Sequence, residues 1–170
     1  VAAYIEPGAT STTNSTTTRC MSTGRMDATG TATNYFGGIT GQFVFGGATT
    51  VPNVDFTYNF NTTNMLVAGN YVGGIVGSVG SNVNGTSAVN LTHNFSTGYI
   101  KGSDYVGGVV GNFMNHKTAN GALTHLIQYN QNSGTITATG ANYAGTAMSY
   151  GGVGGIIGYA APYSTMTGTG

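Results

Sequence analysis

One glycine phrase recurs four times along the chain: TNYFGGITGQF (33–43), GNYVGGIVGSV (69–79), SDYVGGVVGNF (103–113) and YGGVGGIIGYA (150–160). Its Gly-Gly pairs begin at Gly37, Gly73, Gly107 and Gly154. The first two intervals nearly agree, and the third is longer by about a dozen residues, within the 20–50-residue periods of stacked arrays. In such arrays each repeat is a unit that cannot bury its apolar face alone, so the pattern constrains the chain to stack.

The copies also agree outside the glycine phrase. NVDFTYNF (53–60) aligns with VNLTHNF (89–95) and THLIQYN (124–130). Val54, Phe56, Tyr58 and Phe60 alternate with polar residues, and so do Val89, Leu91, His93 and Phe95. His125, Ile127, Tyr129 and Gln131 hold the equivalent places. Strict alternation predicts a half-buried strand. Counting back seven residues from the Tyr of the phrase gives Asn64 and Gly98, with Gly24 and Gly134 in the outer copies. These residue types accept positive φ, so a left-handed corner is expected there. A short second strand follows, as in TGYIKG (97–102), and the glycine phrase makes a third.

The expected fold is therefore all-β, a parallel β-solenoid of about four three-strand rungs spaced about 4.8 Å apart. A β-sandwich is the alternative. The segments divide as a Ser/Thr-rich N-terminal segment at 1–18, flexible or strand-donating, repeats at 19–162, and a tail at 163–170.

The phrase YVGGIVG (71–77), with the N-F/Y strand and turn glycine before it, resembles the GLUG repeat, found in tandem in bacterial surface proteins, including adhesins. The resemblance runs over about residues 18–160 through four copies, a repeat architecture that needs neighbours to be stable. It departs at Thr40 and through the insertion ANYAGTAMSYG (141–151). It implies an extracellular scaffold, often adhesive, and no catalytic residue.

Read as one strand, the glycine phrase carries apolar groups on both faces. Val72, Gly74 and Val76 point one way; Tyr71, Gly73, Ile75 and Gly77 point the other. One face builds the core. The other expects cover from the chain itself, a neighbouring subunit or a ligand. The candidate interface is Tyr35, Gly37, Gly38, Tyr71, Gly73, Gly74, Ile75, Tyr105, Gly107, Gly108, Val109, Gly154, Gly155 and Ile156. A short solenoid also ends in unpaired strand edges that invite another chain. The Thr-rich GATSTTNSTTT (8–18) is a candidate donated strand, or else a disordered tail.

Composition narrows the function. Charged residues are 5% of the chain and the formal net charge is +0, against about 25% charged residues in an average soluble protein. That leaves no footprint for nucleic acid and little self-repulsion against assembly. No stretch reads as a membrane span. The opening VAAYIEP does not read as a signal peptide.

The single Cys20 excludes an intrachain disulfide. Asp27, Asp55 and Asp104 fall in different parts of the repeat, so no carboxylate pair for hydrolysis is expected. His93, His116 and His125 do not suggest a zinc site, and no cofactor is expected. The chain reads as non-enzymatic.

Asn14, Asn61, Asn84, Asn90 and Asn94 stand in N-x-S/T sequons, and Asn90 and Asn94 are placed on the outward phase of their strand. Tyr35, Tyr71, Tyr105 and Tyr143 recur at one place, as a packed ladder or a sugar-stacking surface. The leading expectation is an extracellular structural protein, a self-associating filament subunit or a section of an adhesin. A glycan or host surface is a possible ligand, and the alternative is a carbohydrate- or ice-binding module.

Overall fold

The computed structural model describes residues 2–5, 14–29, 35–44, 53–80, 88–114, 124–140, 152–160 and 165–167. The described residues carry twenty-two short strands and no helix. In chain order β1 (Ala2–Ile5) stands first. Rung 1 is β2 (Ser15–Thr18), β3 (Met21–Ser22), β4 (Arg25–Ala28), β5 (Tyr35–Gly37) and β6 (Thr40–Val44). Rung 2 is β7 (Val54–Thr57), β8 (Phe60–Asn61), β9 (Asn64–Val67), β10 (Tyr71–Gly73) and β11 (Val76–Gly80). Rung 3 is β12 (Val89–Thr92), β13 (Phe95–Ser96), β14 (Ile100–Gly102), β15 (Tyr105–Gly107) and β16 (Val110–Met114). Rung 4 is β17 (Thr124–Gln128), β18 (Gln131–Asn132), β19 (Ile136–Ala138), β20 (Gly152–Gly154) and β21 (Ile157–Ala160), and β22 (Thr165–Thr167) closes the order.

Corresponding strands pair in parallel to make five faces. Face one is β2-β7-β12-β17-β22, face two β3-β8-β13-β18, face three β4-β9-β14-β19, face four β5-β10-β15-β20 and face five β1-β6-β11-β16-β21. This is a parallel β-solenoid of four rungs, and the uniformly parallel ladders exclude the sandwich, whose sheets are antiparallel. Each rung has five strands where three were expected, because two of the expected strands break at corners. The first expected strand breaks at Tyr58, His93 and Tyr129, the glycine phrase at Gly74-Ile75 and Gly108-Val109.

The left-handed corners stand at Arg19 (φ 52), Tyr58 (φ 56), His93 (φ 56) and Tyr129 (φ 54). The expectation at Asn64, Gly98 and Gly134 is corrected. Only Gly24, φ 110, has positive φ among that set. Counting from the tyrosine misplaces the register by one residue, because Tyr71 pairs with Tyr105 while Met65 pairs with Ile100. Rung 2 holds one more residue than rung 3 between these strands. Gly98 is required for another reason: a Cβ there would collide with the Thr63 carbonyl.

The interior has two apolar cores. The larger lies between faces one and five and includes Val54, Phe56, Leu91, Phe43, Val76, Val79 and Phe113. Phe43 meets Phe56 edge-on at 5.8 Å between ring centroids. The smaller holds Met65, Val67, Ile100, Val72 and Val106 between faces three and four. A narrow polar waist runs between them. There Asn61 donates from Nδ2 to Ser96 Oγ at 3.3 Å, opposite the second glycine of each pair. A Cβ on Gly74 would collide with Ser96 Oγ.

The first glycine of each pair serves a different contact. A Cβ at Gly73 would collide with the Val76 carbonyl oxygen and lie 2.6 Å from Gly111 N. The phrase thus folds back on itself, with the backbones of faces four and five in contact. Its two apolar sides are covered by two cores of the same chain. The expected interface is corrected accordingly: Ile75 and Val109 are each 0% exposed, and Gly37, Gly38, Gly73, Gly74, Gly107 and Gly108 are buried. Gly154 and Ile156 are half-buried, and Gly155 is exposed.

Rung 1 begins at Ser15, inside the segment set apart as 1–18. β1 pairs with β6 and extends face five by one strand below rung 1. β22 pairs with β17 and extends face one by one strand above rung 4. Residues 6–13, the insertion 141–151 and the remaining tail residues lie outside the described residues.

Candidate functional site

The corner residues build the first outer feature. A non-glycine residue in the left-handed region costs about 1 kcal/mol, and the array offsets this cost with bonds between rungs. The amides of Arg19, Tyr58 and His93 donate to Thr57 O, Thr92 O and Gln128 O, each at 3.1 Å. The side chains point outward and stack: Tyr58 on His93 at 4.6 Å and His93 on Tyr129 at 4.8 Å. Tyr58 is 55% and Tyr129 57% exposed. The inward phase expected for Tyr58 and His93 ends at the corner, and Phe60 and Phe95 then stack half-buried at 5.4 Å.

Immediately after each corner the chain places an asparagine inside. Asn94 Oδ1 accepts from Asn59 N at 3.2 Å and from Asn59 Nδ2 at 3.0 Å. Asn130 Oδ1 does the same for Asn94 N and Nδ2, at 3.0 and 2.9 Å. Each Nδ2 also reaches a carbonyl: Asn59 to Thr17 O, Asn94 to Phe56 O and Asn130 to Leu91 O. Cys20 holds this place in rung 1, and its amide donates to Asn59 Oδ1 at 3.1 Å. A thiol side chain has no amide with which to extend the ladder.

This corrects the glycan expectation at two sequons. Asn94 is 1% and Asn61 0% exposed, because the corner reverses the strand's phase and turns both side chains inward. Asn90 is half-buried and donates to Asp55 Oδ1 at 2.7 Å, in the register that pairs Asp55 with Asn90. Asn14 is exposed, and Asn84 lies outside the described residues.

The tyrosines of the phrase form a second ladder. Tyr35 stacks on Tyr71 at 4.8 Å and Tyr71 on Tyr105 at 5.0 Å. Rung 4 departs: Tyr105 pairs with Gly152, Tyr159 tilts against it at 5.2 Å, and Tyr143 lies outside the described residues. Burial raises the Tyr71 and Tyr105 phenols above their ordinary range, and the neighbouring tyrosines and Asp104 add to it. Because the rings stack face to face, their faces are taken up by one another.

The chemistry-bearing side chains stand apart. Asp27 lies 2.6 Å from Arg25 Nε on its own strand. Asp104 is 6% exposed, accepts from Ser103 Oγ at 3.3 Å on Oδ2, and leaves Oδ1 without a hydrogen bond among the described residues. His93 is exposed at a corner, whereas His125 is 1% exposed. Its ring meets Phe113 edge-on at 5.0 Å, and its Nδ1 accepts from Val89 N at 2.9 Å. Desolvation lowers its pKa to about 4. Among the described residues, no three His, Cys, Asp or Glu converge to hold a metal. His116 lies outside them.

One groove opens over face three. It has a volume of about 560 Å³ and is lined among others by Arg25, Asp27, Leu66, Lys101 and Thr139. The register Asp27↔Leu66 and Leu66↔Lys101 sets these three in one outward row across successive rungs. The sequence reading missed this row, because the one-residue slip hides the alignment. The asparagine ladder was visible as the recurring Asn59, Asn94 and Asn130, but alternation alone assigned those residues outward.

No protein-family model, curated protein or solved structure matches this chain.

Proposed function

We propose that this chain is a non-enzymatic, extracellular structural module that assembles by stacking copies end to end, as a filament subunit or a section of a surface adhesin. The observation that carries the reading is the uniformly parallel stacking: all five faces run strand on strand through successive rungs, so each rung is a template on which a further rung pairs through its N–H and C=O groups. Low charge removes a barrier to this contact, and the GLUG resemblance points to the same class.

Sugar stacking on the tyrosine ladder, and ice binding, find less support. The tyrosine faces are stacked on each other. An ice-binding face needs a threonine at one place in every rung, whereas Thr137 has Lys101 as its neighbour in the preceding rung.

Electron microscopy and light scattering test the reading with Thr16→Pro. Ser15 N and Arg19 N bond to rung 2, at 3.1 Å each. By alternation Thr16 N–H faces the free edge, where proline removes a donor without breaking the ladder. Filaments of the natural chain, lost in Thr16→Pro with an unchanged melting temperature, are expected. Monodisperse natural chain at high concentration overturns the proposal.

A further inference from the structure

We propose that the groove over face three binds a carboxylated saccharide. The chain has eight charged residues, and Arg25, Asp27 and Lys101 all line this one groove. Its volume of about 560 Å³ falls within the range of about 300–1,000 Å³ common to small-molecule sites.

Asp27 and Lys101 stand two rungs apart with Leu66 between them, a spacing of about 10 Å in backbone terms. The Asp27 carboxylate is held by Arg25 on its own strand, with Arg25 Nε at 2.6 Å. Lys101 has no ion-pair partner among the described residues. The groove thus carries one net positive charge, set across an apolar floor from a neutralised carboxylate.

This arrangement fits a pyranose that bears a carboxylate. The Lys101 ammonium takes the carboxylate, and a guanidinium with five donors has hydrogen bonds left beyond the one to Asp27. Asp27 accepts from ring hydroxyls. Thr139 donates its own proton to Gly102 O at 3.2 Å, which leaves its lone pairs as acceptors. Leu66 offers an apolar surface to the C–H face of the ring. A neutral sugar leaves Lys101 unanswered, and a bare carboxylate leaves Asp27, Leu66 and Thr139 unused.

Titration followed by NMR tests this with D-glucuronate and a galacturonate trimer, against methyl glucoside, acetate and a short glutamate peptide. The uronates are expected to bind at least about tenfold more tightly than the three controls, the difference one charged hydrogen bond makes. Lys101→Gln is expected to weaken uronate binding by about tenfold, and Lys101→Arg to retain it. Thermal melts verify that both variants fold. The proposal is overturned by absent uronate binding, by equal binding of any control, or by a Lys101→Gln variant that binds as the natural chain does. Assembly and binding fail separately, because the groove lies on the flank of the solenoid and the stacking surfaces at its ends.

Discussion

Asn94 Oδ1 accepts two hydrogen bonds from one residue of the rung before it, the backbone amide and the side-chain amide of Asn59, at 3.2 and 3.0 Å. Asn94 in turn donates its own amide and Nδ2 to Asn130 Oδ1 and its Nδ2 to Phe56 O. A buried amide so fully partnered ties three rungs in register.

Asn94→Ala strands two donors at Asn59, its amide and one Nδ2 proton, and removes one of the two donors to Asn130 Oδ1, in a site 1% exposed. Unsatisfied buried groups cost about 1–3 kcal/mol each, with partial recovery by water. A loss of about 3 kcal/mol in unfolding free energy is expected by denaturant titration. Asn14→Ala, at an exposed position, is expected to stay within about 0.5 kcal/mol.

Gly73→Ala places a methyl against the Val76 carbonyl and Gly111 N, both backbone. Neither can move without separating faces four and five. A cost of at least about 3 kcal/mol is expected, since overpacking against side chains alone reaches that. Ile75→Lys, at 0% exposure, is expected to abolish the cooperative melt, because it buries an unpaired charge. A soluble, folded Ile75→Lys chain with normal melting would contradict the burial of the glycine phrase.

His125 makes the fold acid-sensitive. Its folded pKa, about 4, lies below the ordinary 6.5, so below pH 6.5 the unfolded chain binds more protons than the folded one. Stability is full above pH 6.5 and falls as pH drops from 6.5 through about 4. The loss approaches about 3 kcal/mol once the ring is protonated in both states, at about 1.4 kcal/mol per pH unit between the two pKa values. Melting temperatures at pH 7 and 4.5 measure it. In His125→Gln the same pH step is expected to cost less.

The tyrosine ladder acts at the other end of the pH scale. The Tyr71 and Tyr105 phenols are raised chiefly by burial, so the folded state holds their protons longer than the unfolded state. Their stabilisation is full below pH 10 and is lost as pH rises through the folded values. Absorbance titration at alkaline pH is expected to show a late-ionising set of tyrosines, reduced in Tyr71→Phe. Uniform titration near pH 10 would contradict this.

Much of the repeat is legible in the sequence. The alternation Val54–Phe56 and Val89–Leu91 correctly gives the inward residues of face one, and the Asp55–Asn90 and Leu91–Ile127 alignments match the paired register. The same alternation misassigned Tyr58 and Asn94. Nothing in residue type announces a left-handed tyrosine: the local cost is met by amide bonds to the next rung and stacking between rungs, contacts about 35 residues apart in an array of this period.

Sequence by itself determined an all-β chain of repeats, because glycine, alternation and period specify which side chains seek cover and where backbones approach; the parallel ladders decided for the stack against the sandwich. Tertiary structure alone decided what provides the cover. Two glycines of one phrase face different partners, Gly73 the backbone of face five and Gly74 the polar waist. The phrase therefore folds into two cores of its own chain instead of presenting a wall to another. A single extra residue between Met65 and Tyr71 likewise decides which charges meet over face three. Register between rungs is a sum of non-local contacts, and no one repeat contains the information to set it.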